Sequence, residues 1–213
     1  MNPVAELILR TDAIFWDFYG VIKDSISVKT TAFESMFFPY GDSVVGRVRA
    51  HHESHGGVSR YEKMPLYLEW AGLPTTRGQI DVFCKHFSTL VLQGVVDSPW
   101  VPGVRDYLQR NCGRQSFFLI TATPQAEIDL IVDKLDIAHC FREIHGAPKS
   151  KRFAIAEIIE RKGIARDNAV VIGDAETDLL AARANGIAFV LRRTELNKRL
   201  QSTYDGPQIE DLT

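Results

Sequence analysis

Cysteine is scarce in this chain and carries no framework. Cys84, Cys112 and Cys140 stand far apart, odd in number and in no ligand spacing, which excludes a disulfide scaffold and a cysteine-based zinc site. An excess of charge is missing too. Twenty-five basic and 27 acidic residues leave a formal charge of −2, giving no basic field for nucleic acid or an anionic membrane surface. No apolar run reaches the length of a membrane span before a charge breaks it. Met1 to Arg10 contains acid and lacks the basic start and apolar stretch of a secretion signal. No internal repeat is present. These absences predict a cytoplasmic protein with neither nucleic acid nor membrane as partner.

What is present is organised around Ala13-Ile14-Phe15-Trp16-Asp17-Phe18-Tyr19-Gly20-Val21-Ile22. Four apolar residues in a row read as a strand buried on both faces, as in a parallel sheet. Asp17 stands at its C-terminal end, where open α/β sheets bind ligands. Gly20 allows a tight turn or a close approach.

From Val28 to Gly94 the pattern turns helical. Helices are predicted over 29–38, 43–55, 59–71 and 79–92, with Ser59 as an N-cap and Gly72 beyond the third. The Pro-rich stretch 97–103 returns the chain. Apolar strands over 116–120, 141–145, 169–172 and 188–191 then alternate with helices over 104–111, 124–135, 152–162 and 177–185. That alternation predicts a parallel sheet with helices on both faces. The polar stretch from Glu195 is expected to be the least ordered. With 213 residues there is room for one core and a modest insertion.

Polar groups therefore follow three strand ends: Asp17, Thr121, and Asp174 with Asp178. Lysines 149 and 151 lie in the loop Gly146-Ala147-Pro148-Lys149-Ser150-Lys151. This order resembles the four motifs of the haloacid dehalogenase (HAD) superfamily over essentially the whole chain. The resemblance implies a Rossmann-like α/β core of residues 1–25 and 98–213, with a small all-helical cap of the C1 type over 26–97. It further implies a phosphatase that uses Mg²⁺ on a small phosphorylated metabolite, as a monomer or weak homodimer. Asp17 would be nucleophile and metal ligand, Asp174 a second ligand, the Tyr19 carbonyl a third, and Asp178 would act through water. Hard oxygen ligands of this kind suit Mg²⁺. Thr121 would offer its hydroxyl and Ala122 its N–H to phosphate oxygens at a helix N-terminus. The third-motif lysine is Lys149 by spacing to Gly163 or Lys151 by its Gly-x-Pro-x-x-Lys setting, and the latter is favoured.

Gly57-Val58-Ser59-Arg60 resembles the Gly-Val-Ser-Arg of β-phosphoglucomutase and related sugar-phosphate enzymes, where the arginine grips substrate from the cap. Lys29 occupies a substrate-contacting position in the same relatives. His51, His52 and His55 read as a solvated helix face, because no further metal ligand accompanies them.

Tyr19 departs from the motif. HAD phosphatases place there a second aspartate, which protonates the leaving alcohol and then activates water. A phenol with a pKa near ~10 is poorly matched to either task. Metal-free haloacid dehalogenases carry a tyrosine at this point, but Gly173-Asp174 and Asp178 keep the Mg²⁺ pattern. The expected activity is hydrolysis of a phosphomonoester, slowed at this step. Sugar phosphomutase, metal-free dehalogenase and a catalytically degenerate binder of phosphorylated ligands are the alternatives.

Overall fold

A computed structural model describes residues 3–213. Six parallel strands form one sheet in the order β3-β2-β1-β4-β5-β6: β1 (Ala13–Trp16), β2 (Ser116–Pro124), β3 (Glu143–Ala147), β4 (Ala169–Gly173), β5 (Ala188–Arg192) and β6 (Gln208–Ile209). All four β1 residues are buried, as a central parallel strand requires. Their side chains alternate between two layers. Ile14 and Trp16 join a cluster with α6 (Val104–Asn111) and α7 (Gln125–Lys134). Ala13 and Phe15 join one with α8 (Lys151–Lys162) and α9 (Glu176–Asn185). Helices thus cover both faces, and α1 (Pro3–Arg10) buries Ile8 in the first layer.

Between β1 and β2 the chain builds four helices: α2 (Ile26–Phe37), α3 (Asp42–Ser54), α4 (Arg60–Trp70) and α5 (Arg77–Asp97). They pack on one another through Phe33, Phe37, Tyr67 and Phe87. The outgoing and returning chains run side by side: the Asp24 amide donates to the Pro99 carbonyl and the Val101 amide to that of Ile22.

Two expectations are corrected. Residues 195–213 are ordered, because α10 (Lys198–Thr203) and β6 extend the sheet edge, Tyr204 donates to the Phe189 carbonyl, and Leu212 to that of Pro102. Strand β2 also runs on to Pro124, since Pro124 still pairs with Ala147 of β3 beyond a register shift after Ile120. A bulge of this kind re-aims side chains at sheet ends.

Candidate active site

Register gathers the site. Trp16 of β1 lies between Leu119 of β2 and Ile172 of β4, so the residues just beyond meet at one edge. The Asp17 amide donates to the Ile172 carbonyl at 2.9 Å. Carboxylate oxygens of Asp17, Asp174 and Asp178 all lie within 4.8 Å of one another. Lys151, the first residue of α8, reaches Asp17 at 2.9 Å and Asp178 at 2.6 Å. Lys149 turns away and pairs with Glu157 on the surface. The two lysines differ in burial: Lys151 is 8 % exposed, against carboxylates that need a cation, whereas Lys149 is not buried.

Burial raises the Asp174 pKa well above the ordinary carboxylate range, and the charges of Asp17 and Asp178 add to the rise. Burial also lifts Asp178, to about 6, against the pull of Lys151. Burial alone would disfavour the Lys151 ammonium, yet Asp17 and Asp178 together carry its pKa above the usual lysine value. Three carboxylates around one ammonium leave an excess of negative charge that a divalent cation would neutralise. The backbone fits that purpose. Gly20 adopts φ +71°, and a Cβ there would overlap the Asp174 carboxylate, so the Tyr19-Gly20 backbone approaches Asp174 as only glycine permits. Asp17, Asp174 and Asp178 could hold a metal ion between them.

A residue outside every expected motif supports this edge. Asn197 donates at 2.7 Å to the Asp174 carbonyl and at 2.8 Å to that of Arg192, tying the Asp174 loop to the sheet edge.

Thr121 and Ala122 sit on the bulged end of β2, four and three residues before α7 begins. The helix N-terminus expected for them is therefore displaced along the chain, because pairing with β3 keeps the segment extended. Thr121 is buried and accepts from the Thr123 amide.

Tyr19 is buried, and its hydroxyl has no well-formed hydrogen bond among the described residues, although the Thr123 side chain lies near enough to pull its pKa down. Burial, reinforced by the charge of Glu127, raises its pKa above the ordinary phenol value. The Lys29 ammonium lies over the ring, 3.2 Å from its centroid, in the geometry of a cation–π contact. Burial, with Arg60 adding repulsion, lowers the Lys29 pKa to about 7.

Arg60 meets a partner that the sequence did not reveal. Its guanidinium forms a fork with Glu127 of α7 at 2.6 and 2.9 Å, and donates to Ser88 of α5 at 2.7 Å. Both charged groups are buried. Removing one leaves the other desolvated and unpaired, which costs about 3–5 kcal/mol. Arg60→Ala is accordingly expected to lose about that much in a denaturant titration, with Arg60→Ala/Glu127→Ala recovering most of it. Single-variant stability equal to wild type would contradict the pairing.

The α3–α4 turn meets the core directly. Gly57 has φ +78°, and a Cβ there would collide with the Thr177 hydroxyl and crowd Ala175. Gly57→Ala should seat the turn badly over the site. Displacement of about an ångström can cost ~10²-fold in turnover, whereas the backbone strain costs about 1–2 kcal/mol. Steady-state kinetics beside a melting curve would separate these effects; unaltered kinetics would show the turn to be irrelevant to the site.

Among the histidines, His52 differs from the solvated face expected. It is buried, 4.8 Å from the Phe33 ring, and contacts Lys63 at 3.2 Å. The Asp17–Asp174–Asp178 group is the one acidic or metal-ligating cluster among the described residues that could hold an ion.

Residues 11–186 match the family model of haloacid dehalogenase-like hydrolases. The chain belongs to that family. It is 26 % identical over 188 residues to phosphoglycolate phosphatase 1 of Pseudomonas aeruginosa, a match covering 82 % of this chain and 66 % of that protein. The chain thus spans just under two thirds of the length of that curated relative. A haloacid dehalogenase-like family protein from Streptococcus pneumoniae superposes with a TM-score of 0.70 at 19 % identity, over 95 % of each chain. A variant of CbbY from Rhodobacter sphaeroides, solved with xylulose-1,5-bisphosphate, superposes with a TM-score of 0.72 at 14 % identity, also over 95 % of each chain.

Proposed function

We propose that this HAD hydrolase cleaves a small phosphomonoester, a sugar phosphate or related metabolite, with Mg²⁺ and through an aspartyl-phosphate on Asp17. The observation that carries the reading is the Asp17–Asp174–Asp178 cluster with Lys151 bridging two of its members. The phosphoglycolate phosphatase of Pseudomonas supports the ester class.

Phosphoryl transfer asks mainly for positioning and charge neutralisation. Mg²⁺ at the cluster would neutralise charge on the phosphoryl oxygens. Lys151 pairs with the Asp17 carboxylate at 2.9 Å and aims it. An Asp17 oxygen bonds to phosphorus as the ester P–O bond breaks, while Thr121 and the Ala122 amide steady the phosphate. The alcohol departs with a proton from solvent, since Tyr19 is a poor donor. Water then cleaves the acyl phosphate and restores Asp17. Residues 26–97 serve as a cap on the core of residues 1–25 and 98–213, hinged where Ile22–Asp24 runs beside Pro99–Val101. Asp17 is 5 % exposed, so substrate enters when the cap lifts, and closure screens the site from bulk solvent while leaving room for the reacting water. Lys29 acts from the cap beside Tyr19, where Arg60 is held by Glu127 and Ser88.

The test is phosphate release from a panel of phosphorylated metabolites with and without Mg²⁺. Release that needs Mg²⁺ and stops in excess EDTA is expected; release indifferent to EDTA would overturn the proposal. Tyr19 favours a second reading, dehalogenation, which chloride release from 2-chloropropionate without metal would select.

A further inference from the structure

Lys63 has no role in the chemistry above, yet its burial is hard to explain without a ligand. It lies one helical turn after Arg60 on α4, at the i+3 position that shares a face. That face is turned to the core, because Arg60 on it grips Glu127. Lys63 is 3 % exposed, and among the described residues it forms no ion pair. Its one hydrogen-bond contact is His52 Nδ1 at 3.2 Å. Burial holds the His52 pKa down to about 2, so the ring is neutral and accepts one of three ammonium protons. Two N–H donors are left in a desolvated place. Glu62 next to it is exposed, and although its charge favours the ammonium it forms no ion pair with it. Burial lowers the Lys63 pKa, to about 8.

A buried cation without a counter-ion is destabilising, by several kcal/mol in general. The neighbourhood makes this worse, not better. Lys29 feels the repulsion of both Arg60 and Lys63, and the carboxylate of Glu127 is already taken by Arg60. Lys29 touches the Tyr19 ring, two residues from Asp17. Two lysines therefore run from the nucleophile into the cap interior, Lys29 and then Lys63, with the neutral His52 ring beside the second. The phosphoryl group itself would be met by Lys151, the metal and Thr121 at the sheet edge.

We infer that Lys63 and His52 form a subsite for a second anionic group of the substrate, a carboxylate or a further phosphate carried beyond the scissile ester. This rests on the phosphomonoesterase reading and narrows it to esters with two anionic ends. Lys63 supplies two N–H donors and the charge, His52 orients the ammonium, and Lys29 adds attraction midway. The second anion gives the buried lysine the partner that the chain withholds. Neutral-tailed esters leave it unpaired on closure, which discriminates against them.

Binding separates this inference from turnover. Calorimetric titration with Mg²⁺ would compare ethyl phosphate, 2-phosphoglycolate and ethylene glycol bisphosphate, which share a two-carbon chain and differ in the distal group. Wild type should bind at least one dianionic-ended ligand tenfold or more tightly than ethyl phosphate, and which one tells carboxylate from phosphate. Lys63→Met, isosteric and uncharged, should bring that ratio close to one; Lys63→Arg should keep part of it. If the Met variant does not fold, Lys63→Gln serves with the same expectation. A wild-type ratio near one, or a ratio that survives loss of the Lys63 charge, overturns the subsite. Phosphate release by wild type from whichever of these two-ended anionic esters binds most tightly reports separately on the phosphomonoesterase reading. Its absence beside an intact Lys63-dependent ratio would sink that reading alone.

Discussion

Replacing Tyr19 by aspartate is expected to raise turnover on an alcohol phosphate by one or more orders of magnitude. Attack by Asp17 needs the nucleophile, the metal and Lys151. Expelling a poor alcohol and activating the second water both need a group that trades a proton near neutral pH. Tyr19 is buried, its hydroxyl has no well-formed hydrogen bond among the described residues, and it titrates above an ordinary phenol. It therefore neither gives nor takes a proton readily. General acid–base catalysis is worth about 10²–10⁴-fold per step, and the aspartate would restore part of both steps. The gain is limited by the space a phenol vacates, and by Lys29, which loses its ring contact and gains a carboxylate. The comparison is kcat for both proteins on one alcohol phosphate, with p-nitrophenyl phosphate as an ester that leaves without help. A wild type already brisk on the alcohol phosphate, and no faster as Tyr19→Asp, would show that another group moves the proton.

Asp17→Asn should abolish phosphate release, a loss of about 10³-fold or more, since the amide is neither a competent nucleophile nor a good Mg²⁺ ligand. Folding should survive, and even improve slightly. The asparagine keeps the shape, and one of three mutually repelling carboxylates disappears. Lys151 retains Asp178 at 2.6 Å. Phosphate assays on the purified variant, beside a thermal melt with and without Mg²⁺, read both effects. Undiminished release would remove Asp17 from the chemistry.

Much of the sheet was legible because it is parallel. Strands buried on both faces leave continuous apolar runs, and Asp17, Thr121 and Asp174 stand out as polar residues next to those runs. What the runs cannot carry is pairing beyond them. The extension of β2 past Thr121 follows from its pairing with β3 and a register shift, so Thr121 and Ala122 were placed too near the next helix. The lysine alternatives depend on which side chain is buried, a tertiary property. Glu127 and Lys63 lie on ordinary-looking helices, and only the meeting of α4, α5 and α7 gives them partners or denies them one. Asn197 was hidden in a polar tail whose order comes from docking on the sheet edge. His52 left the solvated face because α3 packs on Phe33 and Lys63.

The most direct test of Asp17 as the phosphoryl acceptor is covalent. Wild-type protein turning over p-nitrophenyl phosphate with Mg²⁺ would be quenched in acid, weighed intact and digested. On the proposed mechanism, with Tyr19 a poor activator of water, loss of the phosphoryl group would be the slow step, so an added phosphoryl should be found on the peptide bearing Asp17 and should vanish in Asp17→Asn. Continuing phosphate release with no adduct at any time, or an adduct on a different residue, would contradict nucleophilic attack by Asp17.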